Sequence, residues 1–399
     1  MRAQRLDLAI VIAVALAANF AYLALSSGDY YFPDSFTYLA PARAMLRGAG
    51  FTNDKHQPET LRTPGYPLLL AAFGARTLPV IILQHLLNAA LAAAIYLFIR
   101  WRTANRFTAI LAALVFALDP PTIHYANKLL TETLFTVILF IVFAGALQRR
   151  NVLALALLLG VLVLIRPIAM FFFVPLGVML AIWRVPRRRV VAFALVALVL
   201  PVGWAIRNKT RTGVFTVSPI GAFNLLSHRA AAALAIEDAG DDFDQDLADE
   251  QQGLHDDLKD EEPPNAPPEV RARYESHLAW QVIRQHPLAL VELHVRGVFV
   301  NFFDSDWDAM DEVTTVSPEV VRWGLGALPA IVFAFAVIGV IALWHSDRAM
   351  SILILITVLY FIGISAGSEA ESRFRVPVVP QLAIAAAAGV EAVRRGVRR

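Results

Sequence analysis

The sequence predicts an all-α polytopic membrane protein, a single membrane domain over residues 1–399 with about ten transmembrane helices and outer-face loops carrying interfacial helices. Of the 399 residues, 57% are hydrophobic and only 17% are charged, whereas soluble domains carry about 25% charged residues. The mean hydropathy is +0.57. Long apolar runs alternate with short charged clusters, which is the pattern of repeated membrane crossings.

Ten apolar runs qualify as spans, in chain order Leu6–Leu25, Leu78–Ile99, Phe107–Leu118, Leu129–Leu147, Val152–Ile165, Ile168–Trp183, Val190–Ile206, Leu325–Trp344, Ala349–Gly367 and Val376–Val393. The first is long for a signal peptide and lacks a small-residue cleavage site, which favours a retained helix. Several are shorter than the ~20 residues a bilayer requires. The run from Phe107 therefore needs residues past Pro120 or ends in a protein-lined cavity. The two runs flanking Arg166 form two spans or one kinked element.

Lys and Arg in short loops predict the orientation, because cytoplasmic loops carry the excess of positive charge. Ten alternating spans place the basic clusters on one side, which is then cytoplasmic. These clusters are Arg2/Arg5, Arg100/Arg102/Arg106, Arg149/Arg150, Arg184/Arg187/Arg188/Arg189, Arg348 and Arg394/Arg395/Arg398/Arg399. The protein is expected in the inner (plasma) membrane of a bacterium or archaeon, with its active site facing outside.

The net charge of +2 gives no indication of nucleic-acid binding, and the absence of cysteine excludes thiolate chemistry.

Three segments face the outer side in this topology: residues 26–77, the short turn Asp119–Lys128, and the long loop 207–324. Between Glu237 and Glu269 the long loop holds 14 acidic residues and one Lys. This composition predicts a mobile solvated segment, with a substrate-gating lid as the alternative. From Val270 onward, apolar residues recur at helical spacing and indicate helices near the membrane interface.

Four segments place polar residues at the outer ends of spans, where a bilayer makes them costly. They are Tyr31–Tyr38, Arg62–Leu68, Asp119–Phe135 and Ser368–Pro377. Each has a simple structural explanation, such as an N-cap role for Asp34 or a helix-dipole role for Glu132. Together, however, carboxylates and cations at one membrane depth indicate a site for an anionic substrate.

The motifs in these segments occur in a characteristic order. They are Pro33-Asp34-Ser35, the Arg-x-Pro-x-Tyr-Pro turn from Arg62 to Pro67, an element from Tyr125 to Phe135 containing Glu132, Arg166-Pro167, Arg207-Asn208, and Arg373-Phe374-Arg375-Val376-Pro377. This arrangement resembles the GT-C fold glycosyltransferases, in the protein mannosyltransferase and aminoarabinose transferase branch. Many members carry an Asp-Glu pair at the first motif, where this chain has Asp34-Ser35.

The resemblance implies transfer of a sugar from a polyprenyl-phosphate donor to a hydroxyl of a glycan, lipid or protein acceptor. Asp34 is then expected to be the catalytic base and Glu132 a second carboxylate that positions substrate. The remaining candidates are substrate-binding residues, most of them cations for the lipid phosphate: Arg62, Tyr66, His124, Lys128, Arg166, Arg207, Arg373 and Arg375. An extended segment would point Arg373 and Arg375 the same way, onto one phosphate.

Three alternatives stay open. The run Asp304, Asp306 and Asp308 offers a divalent metal site, although the calcium-loop pattern has Gly where this chain has Ala309. A secondary transporter would carry charged or unwound elements near the membrane centre in two repeats, whereas the charges here collect at span ends. A lipid-carried glycan polymerase or ligase would use similar outer loops.

Overall fold

The computed structural model describes residues 2–26, 28–149, 151–238, 242–263, 266–304 and 318–397. Within these ranges the chain forms helices and turns, with one isolated β-bridge between Thr52 and Pro58. The α-helices are α1 (Arg2–Leu25), α2 (Pro33–Leu46), α3 (Gly65–Ala72), α4 (Thr77–Thr103), α5 (Arg106–Ala117), α6 (Pro120–Ala126), α7 (Glu132–Gln148), α8 (Val152–Ile165), α9 (Phe173–Ile182), α10 (Arg187–Thr212), α11 (Ile220–Leu225), α12 (Ala231–Asp238), α13 (Phe243–Glu261), α14 (Pro268–Gln285), α15 (Pro287–Phe303), α16 (Pro318–Ser346), α17 (Arg348–Ile364) and α18 (Val379–Val397).

Among the described helices, five are long and apolar enough to cross a membrane: α1, α4, α10, α16 and α18, the last together with the two 3₁₀ turns before it. Helices α5 and α6 pass the same test only as a pair, bent by 51°. Shorter apolar segments are α7, α8, the stretch Pro167–Ile182 and α17. The predicted all-α membrane architecture is confirmed, and the ten predicted apolar runs coincide with these helices to within a few residues, whereas the predicted number of membrane crossings, about ten, stays a prediction.

Two prolines explain where the predicted spans break. Pro120 starts α6, where a missing N–H costs nothing, and Asp119 caps this helix by accepting the Thr122 N–H at 3.0 Å. The span from Phe107 thus continues past Pro120, but only through a sharp bend. At the second break, α8 ends at Ile165 and Arg166 is extended (φ −142°, ψ 120°), as the residue before a proline prefers.

Helices α16 and α18 pack closely because glycines lie at their crossing. A Cβ atom placed on Gly339 would lie 1.7 Å from the carbonyl oxygen of Ala385, and one on Gly389 would lie 2.0 Å from that of Phe335. No side chain fits at either position. Small residues that let backbones approach are the usual basis of helix association in lipid.

The acidic segment, residues 237–269, contains the helix α13 in the described part of the chain. Its Leu254 and Leu258 are buried in one cluster with Ala279 and Ile283 of α14. These leucines are four residues apart, so they form an apolar stripe within an otherwise acidic sequence. The segment therefore has helical structure that its composition did not indicate, and its mobility stays a prediction.

Candidate active site

Asp34 lies in the first turn of α2, but it is not the residue that caps this helix. The hydroxyl of Ser35 accepts the backbone N–H of Phe32 at 2.9 Å and donates to the carbonyl of Leu129 at 3.0 Å. Ser35 is fully buried. The N-cap explanation for Asp34 therefore fails, because Phe32 occupies the N-cap position and its N–H is accepted by Ser35, so the Asp34 carboxylate makes its contacts elsewhere.

The Asp34 carboxylate lies between two guanidinium groups. Its Oδ1 accepts from Arg62 Nη2 at 2.5 Å and its Oδ2 from Arg373 Nη2 at 3.0 Å. The side chain keeps 32% of its surface exposed. Burial raises the pKa of Asp34, but the attraction of Arg62 and Arg373 outweighs it, so the pKa lies below its ordinary value. Asp34 is thus an ionised carboxylate that a substrate can reach.

Arg62 is held by three groups of α2. Besides Asp34, its Nε donates to Thr37 Oγ1 at 2.8 Å and its Nη1 to the Tyr38 hydroxyl at 3.3 Å. The guanidinium carbon also lies 4.6 Å from the centre of the Tyr38 ring, a cation–π distance. Thr37 and Tyr38 were not among the predicted site residues. Their spacing of three and four residues from Asp34, which places them on the same helical face, is the signal that indicates them.

Glu132 is the second carboxylate, and it has no exposed surface. It opens α7, and its Oε1 accepts from Arg166 Nη1 at 2.8 Å and from Arg373 Nε. Arg166 reaches Glu132 from the break between α8 and the following 3₁₀ turn. A buried carboxylate is tolerated only when it is paired and hydrogen-bonded, and these two guanidiniums supply both conditions.

Arg373 connects the two carboxylates. One guanidinium binds Asp34 through Nη2 and Glu132 through Nε, while Nη1 lies 3.9 Å from Glu371. The cation also lies over the Phe32 ring, 5.0 Å from its centre. We call Asp34, Arg62, Glu132, Arg166 and Arg373 the outer network, after the face of the membrane on which the sequence predicts them. All five were predicted site residues.

Arg375 does not join Arg373. The backbone forms two consecutive 3₁₀ turns, Ser372–Phe374 and Val376–Val378, instead of the extended segment that we expected. Arg375 Nη1 consequently donates to the carbonyls of Asn301, Phe302 and Asp304, at 3.2, 2.7 and 3.0 Å. The two arginines therefore do not clamp a common group in this structure.

Three further candidates have partners outside the outer network. The hydroxyl of Tyr66 donates to Gln84 at 2.7 Å, and its ring packs edge-on against Tyr38. Lys128 Nζ donates to the Asp29 carboxylate at 3.1 Å. His124 shares a 2.7 Å hydrogen bond with the Tyr22 hydroxyl.

Arg207 lies near the C-terminal end of α10 and contacts the segment 26–77, the predicted first outer loop. It donates to the carbonyls of Glu59 at 2.7 Å and Phe51 at 2.8 Å, and to the Asn208 amide oxygen at 2.9 Å. In the described part of the chain these acceptors are all neutral. The carboxylate of Glu59 accepts the backbone N–H of Arg62 at 3.0 Å, so one loop residue links Arg207 to the outer network.

The predicted metal site falls largely outside the described residues, since Asp306 and Asp308 are not described. Asp304 accepts the Ser372 N–H at 2.9 Å through Oδ2. Among the described residues no group of three or more His, Asp or Glu side chains is arranged to hold a metal ion. The metal site stays a prediction.

No family model and no curated protein matches this sequence. The chain is similar to two crystal structures of ArnT from Cupriavidus metallidurans, one bound to undecaprenyl phosphate and one in the apo state. Sequence identity is 14% in each, the matches cover 94% of this chain and 77% of the ArnT chain, and the TM-scores are 0.43 and 0.42. ArnT is an aminoarabinose transferase of the GT-C class, the branch that the sequence motifs resemble.

Proposed function

We propose that this chain is a membrane glycosyltransferase that moves a sugar from a polyprenyl-phosphate donor to an acceptor hydroxyl on the non-cytoplasmic face. The observation that carries the proposal is the outer network, in which one guanidinium bridges an accessible carboxylate and a fully buried one. Such a network at the ends of spans suits chemistry that needs both a base and stabilised negative charge.

The two carboxylates differ in what they can do. Sugar transfer requires a base that takes the proton of the acceptor hydroxyl as positive charge develops at the anomeric carbon. Asp34 is ionised and partly exposed, so an acceptor hydroxyl can reach it. Glu132 has no exposed surface. We assign Asp34 as the base and Glu132 as a positioning residue that holds Arg166 and Arg373.

The departing lipid phosphate needs a cation. Arg62 and Arg373 already balance the charge of Asp34 and Glu132, whereas the partners of Arg207 in the described structure are neutral oxygens. When the hydrogen-bond partners of an arginine are neutral, no carboxylate balances its positive charge. Such an arginine attracts a phosphate, which a guanidinium can bind through two parallel N–H groups. Arg207 is therefore the leading candidate for holding the leaving group, with Arg62 and Arg373 at the sugar side.

We place the site on the outer face because of the distribution of positive charge. The residues of the outer network lie at the opposite ends of their spans from the predicted cytoplasmic clusters, and positive charge marks the cytoplasmic side. The chain has no cysteine, so single cysteines at the exposed positions Asp54 and Ser346 can be labelled without background. An impermeant thiol reagent added to intact cells should label the first and spare the second, and the reverse pattern would place the site inside.

A secondary transporter is the second candidate, because one polar cluster lies within the spans. His85 of α4 is fully buried and contacts Asn19 at 2.9 Å and Asn127 at 3.3 Å, and Asn88 donates to the Thr122 carbonyl at 3.0 Å. Purified protein incubated with a panel of polyprenyl-phosphate-linked sugars and a membrane extract that supplies acceptor hydroxyls should transfer the sugar and release free polyprenyl phosphate, which mass spectrometry detects. Counterflow of a solute into proteoliposomes without any such release would favour the transporter.

A further inference from the structure

A cavity of about 250 Å³ lies among helices α5, α15, α16 and α18. Its walls are apolar apart from two charged side chains, Arg375 and Asp119. Neither residue belongs to the outer network, and the proposed transfer reaction assigns no role to either. A charged atom in an apolar cavity is costly unless a hydrogen-bond partner satisfies it, so an atom of these side chains that lacks a partner indicates a binding site.

Arg375 is the stronger indication. It is 4% exposed, and its Nη1 is occupied by the three carbonyls at the end of α15. Its Nη2 is buried and has no hydrogen-bond partner in the described structure. Leaving a buried charged donor unsatisfied costs more free energy than leaving a neutral donor unsatisfied. The planar fork of a guanidinium is suited to phosphate, so an anionic oxygen is the partner that this nitrogen lacks.

Asp119 supplies the opposite charge. It lies at the bend between α5 and α6, where its Oδ2 accepts the N–H and the hydroxyl of Thr122 at 3.0 and 2.6 Å. These are the contacts of a helix cap, and they occupy only one of its two oxygens. The cavity therefore offers one cation and one anion, with a net charge of zero.

The cavity lies between membrane-spanning segments and is flanked by exposed apolar side chains. Leu118 and Leu328, both lining residues, are 49% and 38% exposed. In a bilayer such surfaces face acyl chains, so a ligand would enter from the lipid. A phosphomonoester carries a charge of about −1.5 to −2, which the carboxylate of Asp119 would repel. A phosphodiester with an ammonium group matches both charges.

We propose that this cavity binds the head group of a zwitterionic phospholipid of the phosphatidylethanolamine class, with the phosphate on Arg375 Nη2 and the ammonium on Asp119. The site shares no residue with the outer network. Its existence is therefore independent of the transferase function, and either can fail without the other.

Native mass spectrometry of the purified protein in detergent tests the proposal with three probes: phosphatidylethanolamine, phosphatidylglycerol and undecaprenyl phosphate. Arg375→Lys keeps the charge and three donors for the α15 carbonyls but loses the second nitrogen. Asp119→Asn keeps the helix cap, because Asn caps as well as Asp. Leu328→Trp narrows the cavity and changes no charge. Arg296→Gln, on the exposed face of α15, is the matched control.

The wild-type protein should bind phosphatidylethanolamine about tenfold more tightly than either other lipid. Arg375→Lys and Asp119→Asn should each lose about tenfold, as expected for one charge-assisted contact, and Leu328→Trp should lose as much because the indole fills the space of the head group. The control should be unchanged. Binding that is equal in wild-type protein and all three cavity variants would overturn the proposal. So would a preference for phosphatidylglycerol or undecaprenyl phosphate, or a loss of the same size in Arg296→Gln.

Discussion

The two ends of the helical bundle both carry arginine–carboxylate pairs, but they use them differently. At the end with the basic clusters, Arg106 binds Asp7 at 2.7 Å, and Arg395 binds Glu391 at 2.7 Å, yet the arginine side chains are 60% and 67% exposed. In the outer network, Arg62, Arg166 and Arg373 are at most 13% exposed.

Connectivity differs as well. Arg102 and Arg106 each pair with a single carboxylate of another helix or loop, whereas Arg373 binds two carboxylates at once. Pairs with an exposed arginine, such as those of Arg106 and Arg395, contribute little to stability, about 0–1 kcal/mol, so the predicted sidedness of positive charge is the better explanation for the basic clusters. Buried shared pairs are expensive to assemble. The proposed transfer reaction gives a reason to retain such pairs in the outer network despite this cost.

Replacing the buried carboxylate should give the largest loss of stability. Glu132→Gln leaves Arg166 without its charged partner and Arg373 with only Asp34 as a close one, and removing one partner of a buried pair typically costs roughly 3–5 kcal/mol. Thermal unfolding in detergent measures this loss. A change below 1 kcal/mol would mean that the outer network is no more coupled than the pairs at the basic end.

Replacing the bridging arginine by lysine should give a smaller, functional effect. Arg373→Lys keeps the charge but cannot donate to Asp34 and Glu132 through two separate nitrogens of a rigid plane. We expect transfer to fall about tenfold or more, on the order of 1.4 kcal/mol, with normal expression. Full turnover in this variant would show that a positive charge at position 373 is sufficient for transfer, and that donation from one guanidinium to both carboxylates is not required.

The pH dependence of transfer should be flat near neutrality. The pKa of Asp34 in the folded protein lies below its ordinary value of about 3.9. Above about pH 3.9 the carboxylate is therefore ionised and contributes its full stabilisation. This contribution is lost as the pH falls through the folded pKa. Turnover should therefore stay constant between about pH 7 and pH 5. A decline that begins near pH 6 would assign catalysis to a group other than this carboxylate.

The smallest effect is expected at the basic end. Arg395 is largely exposed, and its partner Glu391 also binds Arg394 at 2.8 Å. Arg395→Gln should consequently change the free energy of unfolding by only ~0–1 kcal/mol, measured as for Glu132→Gln. A loss as large as that of the buried carboxylate would erase the contrast between the two ends.

The sequence predicted the spans well because a run of apolar residues is a local property. It also indicated Asp34, Glu132 and Arg373 as site residues, since polar side chains at span ends are costly and therefore informative. Their pairing was not predictable. Asp34 and Arg373 are 339 residues apart in the chain, and only the packing of the spans brings them together.

Local backbone conformation accounts for the remaining differences. The side chain of Arg375 points away from Arg373 because the backbone forms two 3₁₀ turns. The prediction assumed an extended segment, in which alternate residues point the same way, and was therefore wrong. The acidic segment forms α13 despite its high charge, because Leu254 and Leu258 pack one face of the helix against α14. Ser35, read as a departure from the Asp-Glu pair of the resembled family, is a buried hydroxyl with two backbone partners, a role that depends on the position of Leu129.

Replacing Asp34 tests most directly whether the outer network performs the transfer. Turnover of a polyprenyl-phosphate-linked sugar should be compared in Asp34→Asn and in Asp54→Asn, a control at an exposed position of the same outer loop. Because Asp34 is not the N-cap of α2 and its side chain is partly exposed, Asp34→Asn should fold and express normally. We predict that it loses ~10²–10⁴-fold in turnover, as general-base removal does, while the control keeps full activity. Wild-type turnover in Asp34→Asn would contradict the assignment of this carboxylate as the base.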